Sequence, residues 1–314
     1  MFSYNTRLGF TIVTCAIILF LFLWSHDTAS SERTRFLVFN SESRDNIPTI
    51  PLHIHNNSDT YSSFVETVKQ KYGSVRFSGI YSVNDELNTE EEERFRICVA
   101  NGPRDLVKNG SLFWKTAQIR RTHHSYLSKE GAVLMEVGGN QGDDASEFVR
   151  LYNPTYLILE PLEKYANLLT EKFKDNERVT VLNLGLGTKN EVVMVKIEGN
   201  NACATSKFST ARGETPLYVT NATEFLLKIG VGLFNIDLFT MNCEGCEFEV
   251  LETLLSTNLV NHLRNIQFAT HSRISGLEKP IQRYCRIQQL LFRTHRPTYQ
   301  YKLIWESWRR RDLP

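Results

Sequence analysis

The chain has 314 residues, of which 41% are hydrophobic, and its 36 basic against 35 acidic residues give a formal net charge of +1 at pH 7. This length suits one large folded domain with additional segments. The balance of charge argues against a broad face for nucleic acid or anionic lipid, so we expect no nucleic-acid partner.

The first predicted element is an apolar helix near the N-terminus. Residues 8–24 form a run of 17 residues without a charged side chain. A helix of that length spans about 26 Å, close to the ~30 Å hydrocarbon core of a bilayer. Because Arg7 precedes the run and Asp27 follows it, the positive-inside rule places residues 1–7 in the cytosol and the body in the lumen or outside the cell.

A cleavable signal peptide is the alternative interpretation of this run, since residues 29–31 are small. The run is longer than the usual apolar core of a signal peptide, which favours an uncleaved anchor. We therefore expect a single-pass type II membrane protein with its body in the lumen of the Golgi or endoplasmic reticulum. If the segment is cleaved, the protein is secreted.

The segments after the anchor differ in composition. Residues 25–60 are polar and contain two prolines, which is typical of an exposed stem. Residues 61–130 form an N-terminal extension of irregular pattern, whose acidic run at 90–93 is interpreted as a solvated helix face. Residues 131–314 form the main domain.

Sequons and cysteines are consistent with a lumenal body. Three N-x-S/T sequons begin at Asn56, Asn109 and Asn221. An odd number of cysteines lies beyond the anchor, so in an oxidising compartment at least one is left free or pairs with another chain; they are Cys98, Cys203, Cys243, Cys246 and Cys285.

From Ala132 onward strand-like and helix-like segments alternate, which is typical of a parallel sheet with crossover helices. Apolar runs predict strands at residues 132–135, 156–159, 179–182, 192–197, within 233–241 and at 266–269. Helical spacing of apolar residues predicts helices over residues 162–173, 248–255 and 281–291.

Three local features complete this prediction. Residues 185–187, Gly-Leu-Gly, are interpreted as a turn. Glu247, Glu249 and Glu252 are expected on the outward face of the helix over 248–255. Alternation of aromatic and polar residues from 299 to 306 predicts a half-exposed strand that closes the domain.

A glycine-containing loop follows the first strand. Glu136-Val-Gly-Gly-Asn-Gln-Gly142 lacks the glycine spacing of a dinucleotide fingerprint, but it joins a strand to a predicted helix starting at Asp143. Glu160 ends the next apolar run, where a carboxylate can accept hydrogen bonds from both hydroxyls of a ribose. An ordinary tight turn and a solvated strand end are the alternatives. The pattern favours a nucleoside cofactor.

A second block, D-L-F-T-M-N-C-E-G-C-E-F-E-V-L over residues 237–251, resembles the D-L-x-K-I-D-V-E-G-A-E-x-x-V-L block of FkbM-type methyltransferases, which use S-adenosylmethionine. The glycine loop and Glu160-Pro161 are similar to the cofactor motifs of that family, and residues 295–308 look like the C-terminal extension of its animal members. The resemblance implies a Rossmann-like methyltransferase fold, with a mostly parallel central sheet and helices on both faces, over residues 131–314.

The resemblance also implies roles for named residues. Glu136 and Gly138 would flank the methionine part of S-adenosylmethionine, Gly142 would let the backbone approach it, and Glu160 would hold the ribose. The cofactor-binding set is therefore Glu136, Gly138, Gly139, Asn140, Gly142 and Glu160. No metal is expected.

The acceptor should bind at the carboxyl ends of the central strands, which selects Asn242, Glu244 and His271 as catalytic candidates. Histidine titrates near neutrality and is a natural base, although a structural role for His271 remains open. Glu244 has an equally plausible role as a carboxylate in the first turn of a helix. A redox or zinc function for the Cys243-x-x-Cys246 pair is a weaker alternative, because no second pair of this spacing occurs.

This chain departs from the family block at Thr240 and Asn242, where lysine and aspartate are usual. Because an asparagine side chain is neutral at every pH, Asn242 cannot repeat a charge-dependent role of that aspartate. The leading prediction is a membrane-anchored methyltransferase that acts on a hydroxyl group of a glycan or small molecule. The alternatives are a degenerate methyltransferase-fold binding protein and a lumenal glycosyltransferase, against which the lack of a D-x-D motif counts.

Overall fold

The computed structural model describes residues 80–314. Two helices precede the first strand, α1 (Thr89–Gly110) and α2 (Thr116–Thr122). The strands are β1 (Val133–Val137), β2 (Thr155–Leu159), β3 (Val179–Leu182), β4 (Gly185–Gly187), β5 (Glu191–Val195), β6 (Thr215–Asn221), β7 (Leu238–Met241), β8 (Asn265–Ala269), β9 (His295–Tyr301) and β10 (Trp305–Arg310). The other helices are α3 (Asp143–Tyr152), α4 (Glu163–Lys172), α5 (Ala222–Lys228), α6 (Cys246–Leu255) and α7 (Pro280–Thr294).

The large sheet has seven strands in the order β3-β2-β1-β7-β8-β10-β9. Strands β3, β2, β1, β7 and β8 are parallel, whereas β10 is antiparallel to β8 and β9. The chain leaves β1 on one side towards β2 and returns to β7 on the other, so a topological switch point lies between β1 and β7. Open α/β sheets bind ligands at such a point, outside the carboxyl ends of the strands. The Rossmann-like, mostly parallel sheet predicted from the sequence is confirmed.

Helices cover both faces of this sheet, as predicted. Leu134 of β1 packs in one layer with Phe148 of α3 and Leu169 of α4. Its neighbour Met135 points to the opposite face and packs with residues of α6 and α7, including Leu251 and Leu291. Because successive side chains of a strand alternate between faces, β1 is buried along its whole length.

A smaller sheet has the strand order β4-β6-β5. Its strand β4 shows that the turn predicted at residues 185–187 is wrong, since these residues are buried and pair in parallel with Val219–Asn221. A Cβ atom at Gly187 would lie 2.8 Å from Cγ1 of Val219. The glycine at this position serves close packing in a strand.

The closing segment is an antiparallel hairpin of β9 and β10, and not one half-exposed strand. Trp305 and Glu306 are both fully buried, because β10 lies between two strands and both of its faces are covered. The Arg120 guanidinium lies over the Trp305 ring. On the other face Glu306 accepts hydrogen bonds from the Tyr284 hydroxyl and the Gln288 amide of α7. Burial raises the pKa of Glu306 to about 7.

Helix α1 occupies part of the predicted extension, although the sequence pattern of that segment is irregular. Asn88 caps the helix and forms a reciprocal capping box with Glu91. Glu91 belongs to the acidic run interpreted as solvated, but it is buried and pairs with Arg293 of α7 at 2.6 Å. A disulfide between Cys98 and Cys285 also joins α1 to α7.

The predicted tail, anchor and stem, at residues 1–7, 8–24 and 25–60, lie outside the described residues. Within residues 80–314, no helix combines the length and apolar character needed to cross a membrane.

Two of the sequon asparagines are described, and Asn56 lies outside this part of the chain. The Asn109 amide nitrogen donates to the Lys302 carbonyl at 3.1 Å, and that of Asn221 donates to the Thr188 carbonyl at 2.6 Å. A glycan attached to either nitrogen would have to keep or replace that hydrogen bond.

Candidate functional site

The loop after β1 connects to α3 next to the end of β2, as predicted. The Gly138 N–H donates to the Leu159 carbonyl at 2.8 Å. Gly138 has a φ of +93°, and a Cβ atom there would lie 2.2 Å from the backbone oxygen of Asn242. Glycine is needed at this position both for its backbone conformation and for the contact between the loops that follow β1 and β7.

The other two glycines of the loop pack against the protein itself. A Cβ atom at Gly139 would lie 2.5 Å from Cγ2 of Ile158, and one at Gly142 would lie 2.6 Å from Cδ2 of Leu169. Close packing of the loop on β2 and α4 therefore accounts for these glycines without a bound ligand.

Glu160 lies directly after β2 and is buried. Its Oε2 accepts a hydrogen bond from the Asn140 N–H at 2.7 Å, and its Oε1 accepts one from the Leu162 N–H at 2.8 Å. Burial raises the pKa of Glu160 to about 7, although these two backbone donors oppose the rise. A carboxylate offers about four lone-pair positions, so the group keeps acceptor capacity for two ribose hydroxyls.

Glu136 lies within β1, opposite Ile158 in register, and its side chain is buried. The Tyr156 hydroxyl donates to its Oε2 at 2.5 Å. Burial raises the pKa of Glu136 to about 8, and the nearby charges of Asp144 and Glu160 add to the rise. The charge of Glu160 therefore reaches Glu136, and the raised pKa favours the protonated form of Glu136 at neutral pH.

The three predicted acceptor-side residues lie at the same edge of the sheet. Asn242 follows β7, and its N–H donates to the Val137 carbonyl at 2.9 Å. His271 follows β8, and its Nε2 lies 3.2 Å from Oε1 of Glu244. The structure therefore brings the candidates from two sequence blocks together next to the glycine loop.

A third acidic residue completes this group. Glu247 was expected to face outward, but its side chain is 2% exposed and its Oε1 is hydrogen-bonded to Nδ1 of His271. Burial of the imidazole opposes its charge, but the carboxylates of Glu244 and Glu247 outweigh this effect and hold the pKa of His271 well above its usual range. This arrangement favours the imidazolium form of His271, between two carboxylates.

The turn that carries Glu244 is closed by a disulfide. Cys243 and Cys246 are bonded, with their Cα atoms 5.4 Å apart. Thiols in a disulfide are not available as metal ligands, since the thiolate is the ligand form. Of the described cysteines, Cys203 remains solvent-exposed.

A segment without a recognisable sequence pattern, residues 199–208, connects the two sides of the site; we call it the strap. Near its start, the Asn201 carbonyl accepts a hydrogen bond from the Asn140 amide at 3.0 Å. Near its end, the Ser206 hydroxyl donates to the Glu244 carbonyl at 2.6 Å. The strap therefore spans from the glycine loop to the turn with the acceptor-side candidates.

Among known families, one model matches the part of the chain that forms this site. Residues 136–276 match the methyltransferase FkbM domain. The match begins at Glu136 in β1 and ends five residues beyond His271, so it includes the glycine loop, Glu160, the strap and the acceptor-side group. It supports the FkbM methyltransferase family for this segment, as the sequence motifs predicted.

No curated protein matches the chain. Among solved structures, the O-methyltransferase from Bacillus cereus in complex with S-adenosylhomocysteine is similar at 13% identity and a TM-score of 0.33, over 78% of this chain and 97% of that one. The Burkholderia thailandensis 1,6-didemethyltoxoflavin-N1-methyltransferase is similar at 13% identity and a TM-score of 0.32, over 74% and 95%. The Methanococcus jannaschii fibrillarin pre-rRNA processing protein is similar at 9% identity and a TM-score of 0.35, over 59% and 68%. Likenesses at such low scores carry no argument about the activity of this chain.

Sequence reasoning missed Glu247 and the strap. The second glutamate of the E-G-C-E motif was the available signal for Glu247, because it lies three residues from Glu244 and in the first turn of a helix that follows a strand. The strap offers no such signal, since its contacts with Asn140 and Glu244 connect residues far apart in the chain.

Proposed function

We propose that this chain is an S-adenosylmethionine-dependent methyltransferase that transfers the methyl group to a hydroxyl oxygen. The observation that carries the proposal is the position of the FkbM match on the fold. It places the loop with Glu160 and the group around His271 on the two sides of the switch point between β1 and β7, where α/β proteins bind ligands.

The residues on the cofactor side fit the proposed ligand. S-adenosylmethionine would supply an electrophilic methyl group on a sulfonium. Glu160 would accept hydrogen bonds from the ribose hydroxyls with its remaining lone pairs. Gly138, Gly139, Asn140 and Gly142 would form the backbone wall of the same subsite. Glu136, whose raised pKa favours the protonated form at neutral pH, would lie at the start of this wall, held by the hydrogen bond from the Tyr156 hydroxyl.

The acceptor side suits an oxygen nucleophile. Alignment of an acceptor with the methyl carbon supplies much of the rate enhancement in such a displacement. A positioned base typically adds about 10²–10⁴-fold. Asn242 would orient the acceptor with its side-chain amide. The group of Glu244 and His271 would accept the proton that the acceptor hydroxyl loses.

The proposed setting is the secretory pathway, with a sugar hydroxyl as the first acceptor to test. The Cys98–Cys285 disulfide is nearly inaccessible to solvent at Cys285 and supports an oxidising compartment. The uncharged run at residues 8–24 supports a membrane anchor with type II topology.

Calorimetric titration of the full-length chain in detergent with S-adenosylmethionine and S-adenosylhomocysteine tests the proposal. We expect binding of both ligands at one site per chain. Absence of heat, together with an unchanged unfolding temperature at saturating ligand, would contradict it. Transfer from methyl-labelled cofactor to glycan, lipid and small-molecule pools then tests the acceptor class.

A binding protein without transferase activity is the second candidate, and Asn242 favours it. A neutral amide stands where the family block has a carboxylate, and the His271 imidazole at the same sheet edge is already paired with Glu244. Cofactor binding without label in any of the three pools would support this candidate over the enzyme.

A further inference from the structure

The two carboxylates that contact His271 are not equivalent. Glu247 contacts Nδ1 and is 2% exposed, whereas Glu244 contacts Nε2 and is 25% exposed. The imidazole therefore has one nitrogen facing a buried partner and the other facing a partner that water can reach.

Glu247 is fixed by its surroundings. Besides the contact with His271, its Oε2 accepts a hydrogen bond from the Gly245 N–H at 2.7 Å, and its Oε1 accepts a longer one from the Cys243 N–H at 3.4 Å. Both donors belong to the turn closed by the Cys243–Cys246 disulfide. A carboxylate with these backbone partners cannot leave Nδ1 without leaving buried N–H groups unsatisfied.

Glu244 is held differently. Its backbone has a φ of +52°, a conformation uncommon for residues other than glycine, and the strap stabilises it through the hydrogen bond from Ser206 to its carbonyl. These contacts fix the backbone of Glu244 and leave its side chain at the solvent-accessible edge of the group. Rotation of that side chain would expose Nε2 of His271.

We propose that Glu247 is a positioning residue that holds Nδ1 of His271 by a hydrogen bond. Glu244 contacts Nε2 in the free protein, and the acceptor hydroxyl displaces it from this nitrogen. This inference rests on the proposed methyltransferase function and assigns different roles to the two glutamates. His271 is then the proton acceptor of the reaction only after Glu244 has moved away.

Before transfer, the Nε2 proton of His271 passes to Glu244, which carries it to the solvent-accessible edge of the group and releases it to water. The acceptor oxygen then forms a bond to the methyl carbon while the carbon–sulfur bond breaks and its electron pair stays on sulfur, and the hydroxyl proton passes to the vacated Nε2 of His271. A His–Glu pair in which the carboxylate contacts Nδ1 fixes the tautomer whose Nε2 accepts a proton, as in hydrolase triads.

The charges around the ring favour this sequence of events. Within the described part of the chain, the carboxylates that contact His271 are those of Glu244 and Glu247, while Lys207 of the strap pairs with Glu191 and Glu249. With both carboxylates in place, the pKa of His271 lies well above its usual range, so the ring has no free site for a proton. When the Glu244 side chain rotates away, the pKa of His271 falls and Nε2 becomes accessible at the same time.

Diethyl pyrocarbonate, which reacts with unprotonated imidazole nitrogen, probes this difference. In the full-length chain, the rate of labelling at His271 is measured by mass spectrometry for the wild type, Glu244→Gln, Glu247→Gln and the control Glu249→Gln. The titration of His271 is followed in parallel by exchange of its imidazole C2 hydrogen. Glu249 lies on the same helix but pairs with Lys207, so its variant should behave as the wild type.

We expect Glu244→Gln to label about tenfold faster than the wild type, because loss of the charge leaves Nε2 less protonated and the neutral, partly exposed amide no longer pairs with an imidazolium and moves away more readily. In Glu247→Gln the C2 exchange should show a lowered pKa, while labelling stays within about twofold of the wild type because Glu244 still faces Nε2. Equal acceleration in both variants would overturn the proposal, since a merely structural ion pair would respond equally to loss of either charge.

Binding of S-adenosylhomocysteine to the same variants separates this inference from the proposed function. Glu244→Gln should bind it as the wild type does. If the wild type fails to bind, the methyltransferase proposal fails whatever the labelling result. If all variants bind but label alike, only the assignment of roles to Glu244 and Glu247 fails.

Discussion

The carboxylate of Glu160 accepts a hydrogen bond from the backbone N–H of Asn140 at 2.7 Å. This contact connects the end of β2 to the loop after β1, and it orders the loop before any ligand binds. The same carboxylate is proposed to accept the ribose hydroxyls. Ligand affinity and loop order should therefore depend on one ionisable group.

The first prediction concerns replacement of this group. Glu160→Gln keeps one oxygen acceptor but loses the negative charge, and a hydrogen bond to a charged group is worth about 1.5–3 kcal/mol. We expect the affinity for S-adenosylhomocysteine to fall by roughly tenfold or more, measured by calorimetry at pH 8. Glu163→Gln, at an exposed position in the first turn of α4, is the matched control and should bind as the wild type does.

The second prediction concerns pH. Because burial raises the pKa of Glu160 to about 7, the carboxylate gains a proton as the pH falls through 7 and then accepts fewer hydrogen bonds. We expect affinity for S-adenosylhomocysteine to weaken from pH 8 to pH 6, by up to roughly tenfold. The dependence should flatten in Glu160→Gln but persist in Glu136→Gln, which removes the neighbouring group of pKa about 8. If the affinity of Glu160→Gln still depends on pH in this range, a group other than Glu160 causes the dependence.

The third prediction concerns the contact between the loops after β1 and β7. An alanine at Gly138 must adopt a φ near +93° and place its Cβ 2.2 Å from the Asn242 oxygen. We expect Gly138→Ala to lower the free energy of unfolding by about 2–4 kcal/mol, measured by chemical denaturation. Gly110→Ala is the control, because the nearest heavy atom to its Cβ is the Arg273 guanidinium nitrogen at 3.9 Å. Equal stability of the two variants would contradict the steric argument.

Much of the parallel sheet could be predicted from the sequence, because its strands and helices have simple local patterns. Strand β3 has the bounds predicted from its apolar run, and the helix predicted from Asp143 begins at that residue. The carboxyl ends of parallel strands lie at one edge, so the sequence alone places Glu160 and His271 at the same edge.

The prediction failed for charged side chains that are buried by packing against distant parts of the chain. Helix α6 is buried on nearly all sides, so the rule that charged residues mark the outer face placed Glu247 wrongly. Its partner His271 follows a different strand. Glu306 is similar, since alternation in β10 separates two buried faces with different partners and does not separate buried from exposed positions. His271, which contacts Glu247, and the α7 residues that contact Glu306 are distant in the chain, so the spacing of neighbouring residues does not predict these contacts.

The fourth prediction compares the two disulfides. By loop-closure entropy, a bond across a sequence separation of 187, between Cys98 and Cys285, stabilises the fold by about 5 kcal/mol. The bond across a separation of 3, between Cys243 and Cys246, contributes only about 2 kcal/mol. We expect the double alanine variant of the first pair to lose clearly more stability than that of the second, in denaturation under non-reducing conditions. The reverse order would show that strain or residual structure dominates.

The last prediction concerns the stability contributed by His271. Its folded pKa lies well above the unfolded value of about 6.5 because Glu244 and Glu247 outweigh the effect of burial. A group with a raised pKa stabilises the fold fully below the unfolded pKa, and the contribution is lost as the pH rises through the folded pKa. The wild type should therefore lose stability above pH about 7 relative to a variant without this group, by at most about 1.4 kcal/mol per pH unit.

The reference for this measurement is the double variant Glu247→Gln/His271→Gln. It removes the buried charge together with its buried partner, so no unpaired carboxylate remains to titrate at Glu247. The difference in unfolding free energy between the wild type and the double variant is measured by chemical denaturation from pH 6 to pH 9. Titrating groups that do not contact His271 or Glu247 cancel in this difference, and Glu244, the partner that remains, is a solvent-accessible carboxylate that is ionised over this pH range. A difference that stays constant over this range would mean that the pKa of His271 is the same in the folded and unfolded chain, which is incompatible with an imidazolium held between two carboxylates.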